Sequence, residues 1–211
     1  MKPLFFSLLV LFFFASCSSD EDLTFPPIGQ VWMAKNLDVD VFRNGDPIKK
    51  VENGADWDSA VANKQSAWCY PDFDPTIGAK YGKIYNYYAV SKTDNFGIHL
   101  LAPNGYHIPS EVEFNALIGY LGGGQLAPIK MASPPPSWPS QDSSIAYNQS
   151  GFSALPGGRL PSTISGFQNI DTRAYWWTSD MTVMRMDLSL IKTEGSVDDR
   201  GGYYVRCKRD N

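Results

Sequence analysis

The hydrophobic positions of this chain follow three rhythms. Residues 4–15 are apolar apart from Ser7 and carry no charge. Residues 36–42 alternate, with Leu37, Val39 and Val41 interleaved by Asp38 and Asp40. That is the period of a half-buried strand. Phe114, Leu117, Ile118 and Leu121 fall at i, i+3, i+4 and i+7, the apolar stripe of a helix. Ser110 stands where an N-cap belongs, and Glu113 three residues later completes a capping box. Gly122-Gly123-Gly124 then ends the helix with residues that tolerate left-handed backbone.

Weaker patterns fill the rest. Residues 28–33 follow a proline pair and read as a short strand. Asn44-Gly45 marks a turn. Residues 56–67 predict a short helix. Residues 80–90, with Tyr81, Tyr85, Tyr87 and Tyr88, fit strand or helix equally. Residues 125–149 show no period and contain Pro134-Pro135-Pro136, which predicts a long loop of the kind that is functional or mobile. Short strands are expected at 152–155, 175–179, 183–190 and 203–208.

The apolar run at 4–15 follows Lys2. Twelve helical residues reach about 18 Å, against about 30 Å of hydrocarbon in a bilayer. The run is therefore a signal-peptide core rather than a membrane span. It ends in Phe14-Ala15-Ser16-Cys17, which resembles a bacterial lipobox. Residues 1–16 are expected to be removed and Cys17 to carry the lipid anchor. Several acyl chains at about 0.8 kcal/mol per buried CH₂ hold a protein on a membrane durably. Residues 17–27 then form a tether, acidic at Asp20-Glu21-Asp22. Ser18 beside the cysteine permits sorting to an outer membrane. The acidic run resembles export signals of surface-exposed lipoproteins of some Gram-negative groups, or is simply a solvated spacer.

Composition changes the picture in three ways. The formal charge of −4 argues against nucleic acid, because tracking phosphates needs an excess of Lys and Arg. Two His and three Cys leave few transition-metal ligands. All six Trp and eleven Tyr lie beyond the leader, which takes five of the twelve Phe. Such aromatics suit half-buried positions, sugar-stacking or protein-binding surfaces, or the core of a loop-rich fold. With 18 Gly and 15 Pro, many turns and few long helices are expected. Neither a repeat nor a linker divides residues 28–211, which read as one domain.

Six segments, in order, resemble the Fibrobacter succinogenes major paralogous (FISUMP) domain. They are Ile28-Gly-Gln-Val-Trp-Met-Ala-Lys-Asn-Leu37, Tyr81-Gly-Lys-Ile-Tyr-Asn-Tyr-Tyr-Ala-Val90, Pro103-Asn-Gly-Tyr-His-Ile-Pro-Ser110, Gly151-Phe-Ser-Ala-Leu-Pro-Gly-Gly158, Tyr175-Trp-Trp-Thr-Ser179 and Tyr204-Val-Arg-Cys207. Residues 105–114 are also similar to a segment of formylglycine-generating-enzyme-like domains. That second likeness implies an α+β class and a single C-type-lectin-like domain, with short irregular strands, few helices and long loops. The first implies a secreted or surface protein, in a family linked in part to adhesion and polysaccharide-degrading bacteria.

Catalytic signatures are sparse. Formylglycine generation needs a close cysteine pair near the carboxyl end, where this chain has only Cys207. Trp177-Thr178-Ser179-Asp180 is not a calcium signature of sugar-binding lectins. Asp72, Asp74, Asp198 and Asp199 read as turn acids rather than a cation site. His107 is expected to be a structural histidine beside the helix start, and His99 has no evident partner. The chain holds no Walker loop, no nucleophile elbow and no zinc spacing. Asp58-Ser59-Ala60 matches a short bacterial O-glycosylation pattern. With Cys17 lipidated, Cys69 and Cys207 either pair as a disulfide or remain buried thiols. FISUMP members often carry a Cys at the position of Ala102, which leaves both outcomes open.

The expected function is non-catalytic, without cofactor or metal. A surface-anchored lipoprotein would bind a glycan or an extracellular protein, with residues 125–149 as a candidate contact region. The rivals are a polysaccharide-active enzyme and a structural subunit of a cell-envelope assembly.

Overall fold

In the computed structural model, residues 32–91, 93–94, 97–98, 100–162, 166–194 and 198–210 are described. The signal core, Cys17, the acidic tether and His99 lie outside them. The elements, in order, begin with β1 (Lys49–Lys50), α1 (Gly54–Ala62), β2 (Ala67–Cys69), a 3₁₀ turn (Pro71–Phe73), α2 (Pro75–Tyr81), β3 (Ile84–Asn86) and α3 (Tyr87–Val90). Next come β4 (Thr93–Asp94), β5 (Gly97–Ile98), β6 (Tyr106–His107), α4 (Glu111–Tyr120) and α5 (Ala127–Met131). The chain closes with β7 (Gly157–Arg159), β8 (Gln168–Ile170), β9 (Ala174–Trp177), β10 (Val183–Met186), β11 (Ile191–Glu194), β12 (Gly202–Tyr203) and β13 (Lys208–Arg209). The class is α+β, with few helices and several small sheets.

One sheet has the order β1-β2-β3-β12 and another β11-β10-β9; the remaining strands pair as β13-β6, β4-β5 and β7-β8. Among the described strand pairs, only β1 with β2 is parallel. The last strands close the fold: β12 pairs with β3 and β13 with β6. Trp32 bridges Lys208, so the entering chain lies against the exit.

Two hydrophobic clusters make up the core, and two segments form the wall between them. In β9, Ala174 and Trp176 face one cluster, while Tyr175 and Trp177 face the other. From the end of β12 onward, Tyr204 faces the first, and Tyr203, Val205 and Cys207 the second. A strand buried on both faces needs a continuous apolar run rather than alternation. That explains Tyr175-Trp-Trp and Tyr203-Tyr-Val in the sequence. All six Trp are buried: Trp32, Trp57, Trp68, Trp138, Trp176 and Trp177. The aromatic surplus builds the core and leaves no exposed Trp platform for a sugar. The indole N–H groups of Trp57, Trp138 and Trp177 donate to the carbonyls of Arg200, Ala154 and Tyr85, whereas that of Trp68 is buried without a partner among the described residues.

Helix α4 is where sequence and structure agree most closely. The Ser110 side chain accepts from the Glu113 N–H, and the Glu113 carboxylate accepts from the Ser110 N–H, a complete capping box. Phe114, Leu117 and Ile118 are buried, and Gly122 and Gly123 follow with positive φ.

Elsewhere the expectations need correction. Residues 36–42 are extended but are not a strand. Val39 exchanges both backbone hydrogen bonds with the Tyr85 hydroxyl, and Leu37 donates to the Val205 carbonyl. A side chain has replaced the partner strand. Residues 80–90 split at Gly82 into the end of α2, then β3 and α3, so neither single element applies. Residues 125–149 hold α5 and bury Trp138, whose Nε1 donates to the Ala154 carbonyl at 2.9 Å. The start of this stretch and Trp138 therefore join the core, while residues 139–149 form a largely exposed loop. Residues 152–155 contribute one bridge, Ala132 with Ala154, instead of a strand.

Candidate functional site

A cavity of about 610 Å³ opens between the turn carrying Arg43, the loop 100–108, the start of α4 and the carboxyl end of the chain. Its apolar wall is Val90, Leu100, Leu101, Ala102, Ile108 and Met181. Its polar side is Arg43, Ser91, Tyr106, His107, Glu113, Ser179 and Asp210.

Local chemistry shapes this loop. Arg43 sends its Nε to the Ala102 carbonyl at 2.9 Å, and Nη2 to the carbonyls of Pro103 and Tyr106 at 3.0 and 2.8 Å. One guanidinium thus holds three carbonyls of the 102–106 loop. Gly105 allows the reversal with φ +78°, and its carbonyl accepts from the Asp210 N–H at 2.9 Å. That conformation suits glycine.

His107 lies between two acids. Nδ1 is 2.7 Å from Asp210 Oδ1, and Nε2 is 3.0 Å from Glu113 Oε1. A neutral imidazole carries one N–H, so only the doubly protonated ring donates to both carboxylates. Lys208 adds its Nζ at 2.6 Å from the same Glu113 oxygen. Burial pushes the Glu113 carboxyl up, but hydrogen bonds from Lys208, the Ser110 backbone and His107 outweigh it and hold the pKa at about 2. Glu113 therefore caps α4, pairs with Lys208 and orients His107 at once.

Of the residues singled out from sequence, His107, Glu113 and Ser179 reach this cavity. Cys69 and Cys207 do not. Both are free, buried thiols in different core clusters, the second of the two outcomes that the sequence left open. Asp74 caps α2 by accepting from the Thr76 N–H at 2.7 Å, and Asp198 pairs with Arg200 at 3.1 Å. Asp199 accepts from the Tyr88 hydroxyl, and Asp180 from the Glu111 N–H at the start of α4. Among the described residues, no group of three His, Cys, Asp or Glu is arranged to hold a metal ion. Nor is any described helix long and apolar enough to cross a membrane.

Arg43, Lys208 and Asp210 were not legible as site residues. Isolated surface charges carry no spacing signal, and 59 to 63 residues separate Arg43 from the backbone it holds.

No curated protein and no solved structure matches the chain. The family model described as the Fibrobacter succinogenes major domain matches residues 28–209. The six segments, the capping box at Ser110 and the closing strands all fall inside that span, and the chain belongs to this family.

Proposed function

We propose that this domain is a non-catalytic recognition module, held by a lipid on Cys17 at the outer surface of a Gram-negative outer membrane. Its ligand is a glycan or an extracellular protein segment, received in the His107 cavity. The observation that carries this reading is the cavity itself. It combines sufficient volume, an apolar wall and a few convergent polar groups, the usual build of a binding site.

The chemistry favours binding over hydrolysis. A general base needs a free nitrogen aimed at substrate, and both nitrogens of His107 face carboxylates. A glycosidase acid needs a carboxyl that is protonated at working pH, and Glu113 is held at about 2. We further propose a C-type-lectin-like fold, in keeping with the bridge between Trp32 and Lys208 and the docking of residues 105–114 against the closing strand.

The test is retention of detergent-solubilised full-length protein on a glycan array and a panel of surface proteins. Ser179 is exposed at the cavity, so Ser179→Trp should obstruct it without touching the core. The expected result is retention by wild type, weakened at least tenfold in that variant. Equal retention by both would remove the cavity from the proposal. No retention of folded wild type on any glycan or protein would overturn the recognition reading.

A further inference from the structure

A second cavity, about 450 Å³, shares no lining residue with the first. Arg206 lines it and is only 1% exposed. Its Nε and Nη2 both donate to Asn36 Oδ1, at 3.2 and 2.8 Å. Its Nη1 donates to the carbonyls of Met33 and Phe152. The guanidinium lies 4.4 Å from the Phe152 ring centroid and 6.0 Å from that of Trp176.

Among the described residues, no carboxylate pairs with Arg206. Arg159, Arg173, Arg185 and Arg200, all more exposed, each meet an acid. A buried ion lacking a counter-ion is strongly disfavoured unless something compensates it. Burial accordingly pulls the Arg206 pKa down to about 9.

Donors are also in surplus here. Asn36 Oδ1 accepts from Arg206 twice and from Trp176 Nε1 at 2.9 Å. One Nη2 proton has no acceptor among the described residues. At the rim, Lys35 is exposed and has no acid partner among the described residues. Asp38 also lines the cavity, but Lys83 already pairs with it at 3.2 Å. The uncompensated charge of the cavity is therefore positive.

We propose that this cavity binds a small carboxylate, of the size of a sugar acid, with its anionic group directed to Arg206 and Lys35. A single negative charge fits better than a doubly charged phosphate, because Asp38 shares the cavity. Ser133 and Ser153 also line it, the Ser153 hydroxyl already bonded to Asn148 and Gly151. The proposal is independent of the His107 cavity.

The experiment is calorimetric titration of full-length protein in detergent with D-galacturonate, with D-galactose as the neutral match and inorganic phosphate as the competing anion. Trp176 fluorescence gives a second readout, since its indole shares Asn36 with Arg206. The expected result is saturable galacturonate binding that weakens with salt, none for galactose, and at least tenfold weakening in Lys35→Glu. Arg206→Met should abolish binding. Should that variant not fold, Lys35→Glu, at an exposed position, carries the test alone. Equal binding of galactose, unchanged affinity in Lys35→Glu, or no binding to folded wild type would overturn the site. Tighter binding of phosphate than galacturonate would overturn the carboxylate assignment.

Discussion

Glu113 shows how much one side chain can carry. Its carboxylate caps a helix, receives Lys208 and orients His107. Its folded pKa of about 2 lies below the unfolded value of about 4.3. The stabilisation is thus fully present above about pH 4.3 and is lost as pH falls towards 2. Urea midpoints of wild type should fall steeply across that window, whereas Glu113→Gln should start lower and change less. Parallel curves for the two proteins would contradict the assignment. The thiols give a second check at this scale. Burial raises the pKa of both Cys69 and Cys207, the latter to about 12. A thiol reagent should leave both untouched in the native protein. Denaturation without reductant should expose both, whereas finding neither free would restore the disulfide.

At the scale of elements, α4 and β7 respond to different physics. Removing the cap with Ser110→Ala should cost about 1 kcal/mol in chemical denaturation. Gly158 in β7 is less forgiving. It has φ +69°, and an added Cβ would meet the Gln168 carbonyl oxygen at 2.4 Å and the Ile170 nitrogen at 2.6 Å. Both are backbone atoms of the paired strand β8, so they cannot rotate away. Gly158→Ala should lose more than the about 1–2 kcal/mol that a left-handed residue costs. Hydrogen exchange should then show the β7–β8 pair opened. A cost below that of Ser110→Ala would mean the strands separate easily.

The whole molecule depends on its carboxyl end. Residues 202–209 supply β12 and β13, bridge Leu160, Trp176 and Trp32, and bury Tyr203, Tyr204, Val205 and Cys207 between the two clusters. Few other segments touch so many partners distant in sequence. Deleting residues 204–211 should abolish the near-ultraviolet signal of packed Trp and the cooperative thermal transition. A truncated chain that still melted cooperatively would show that the wall between the clusters is dispensable.

What the sequence determined by itself was local or strongly patterned. Helix α4, its cap and its glycine end are encoded within fifteen contiguous residues, so short-range rules suffice. The family followed from the order of six segments, and the α+β class from the likeness of residues 105–114. Short strands were legible at 175–179 and 203–208, whereas nothing in the sequence marked Arg206 as lining a cavity. Tertiary structure decided the rest. A Tyr85 hydroxyl standing in for a strand, an Arg43 that clamps a remote loop, and the burial of every Trp depend on contacts across many tens of residues. No periodicity records such contacts. The His107 cavity exists because the last strand returns beside β6 and α4, which brings Asp210 and Lys208 to residues encoded a hundred positions earlier.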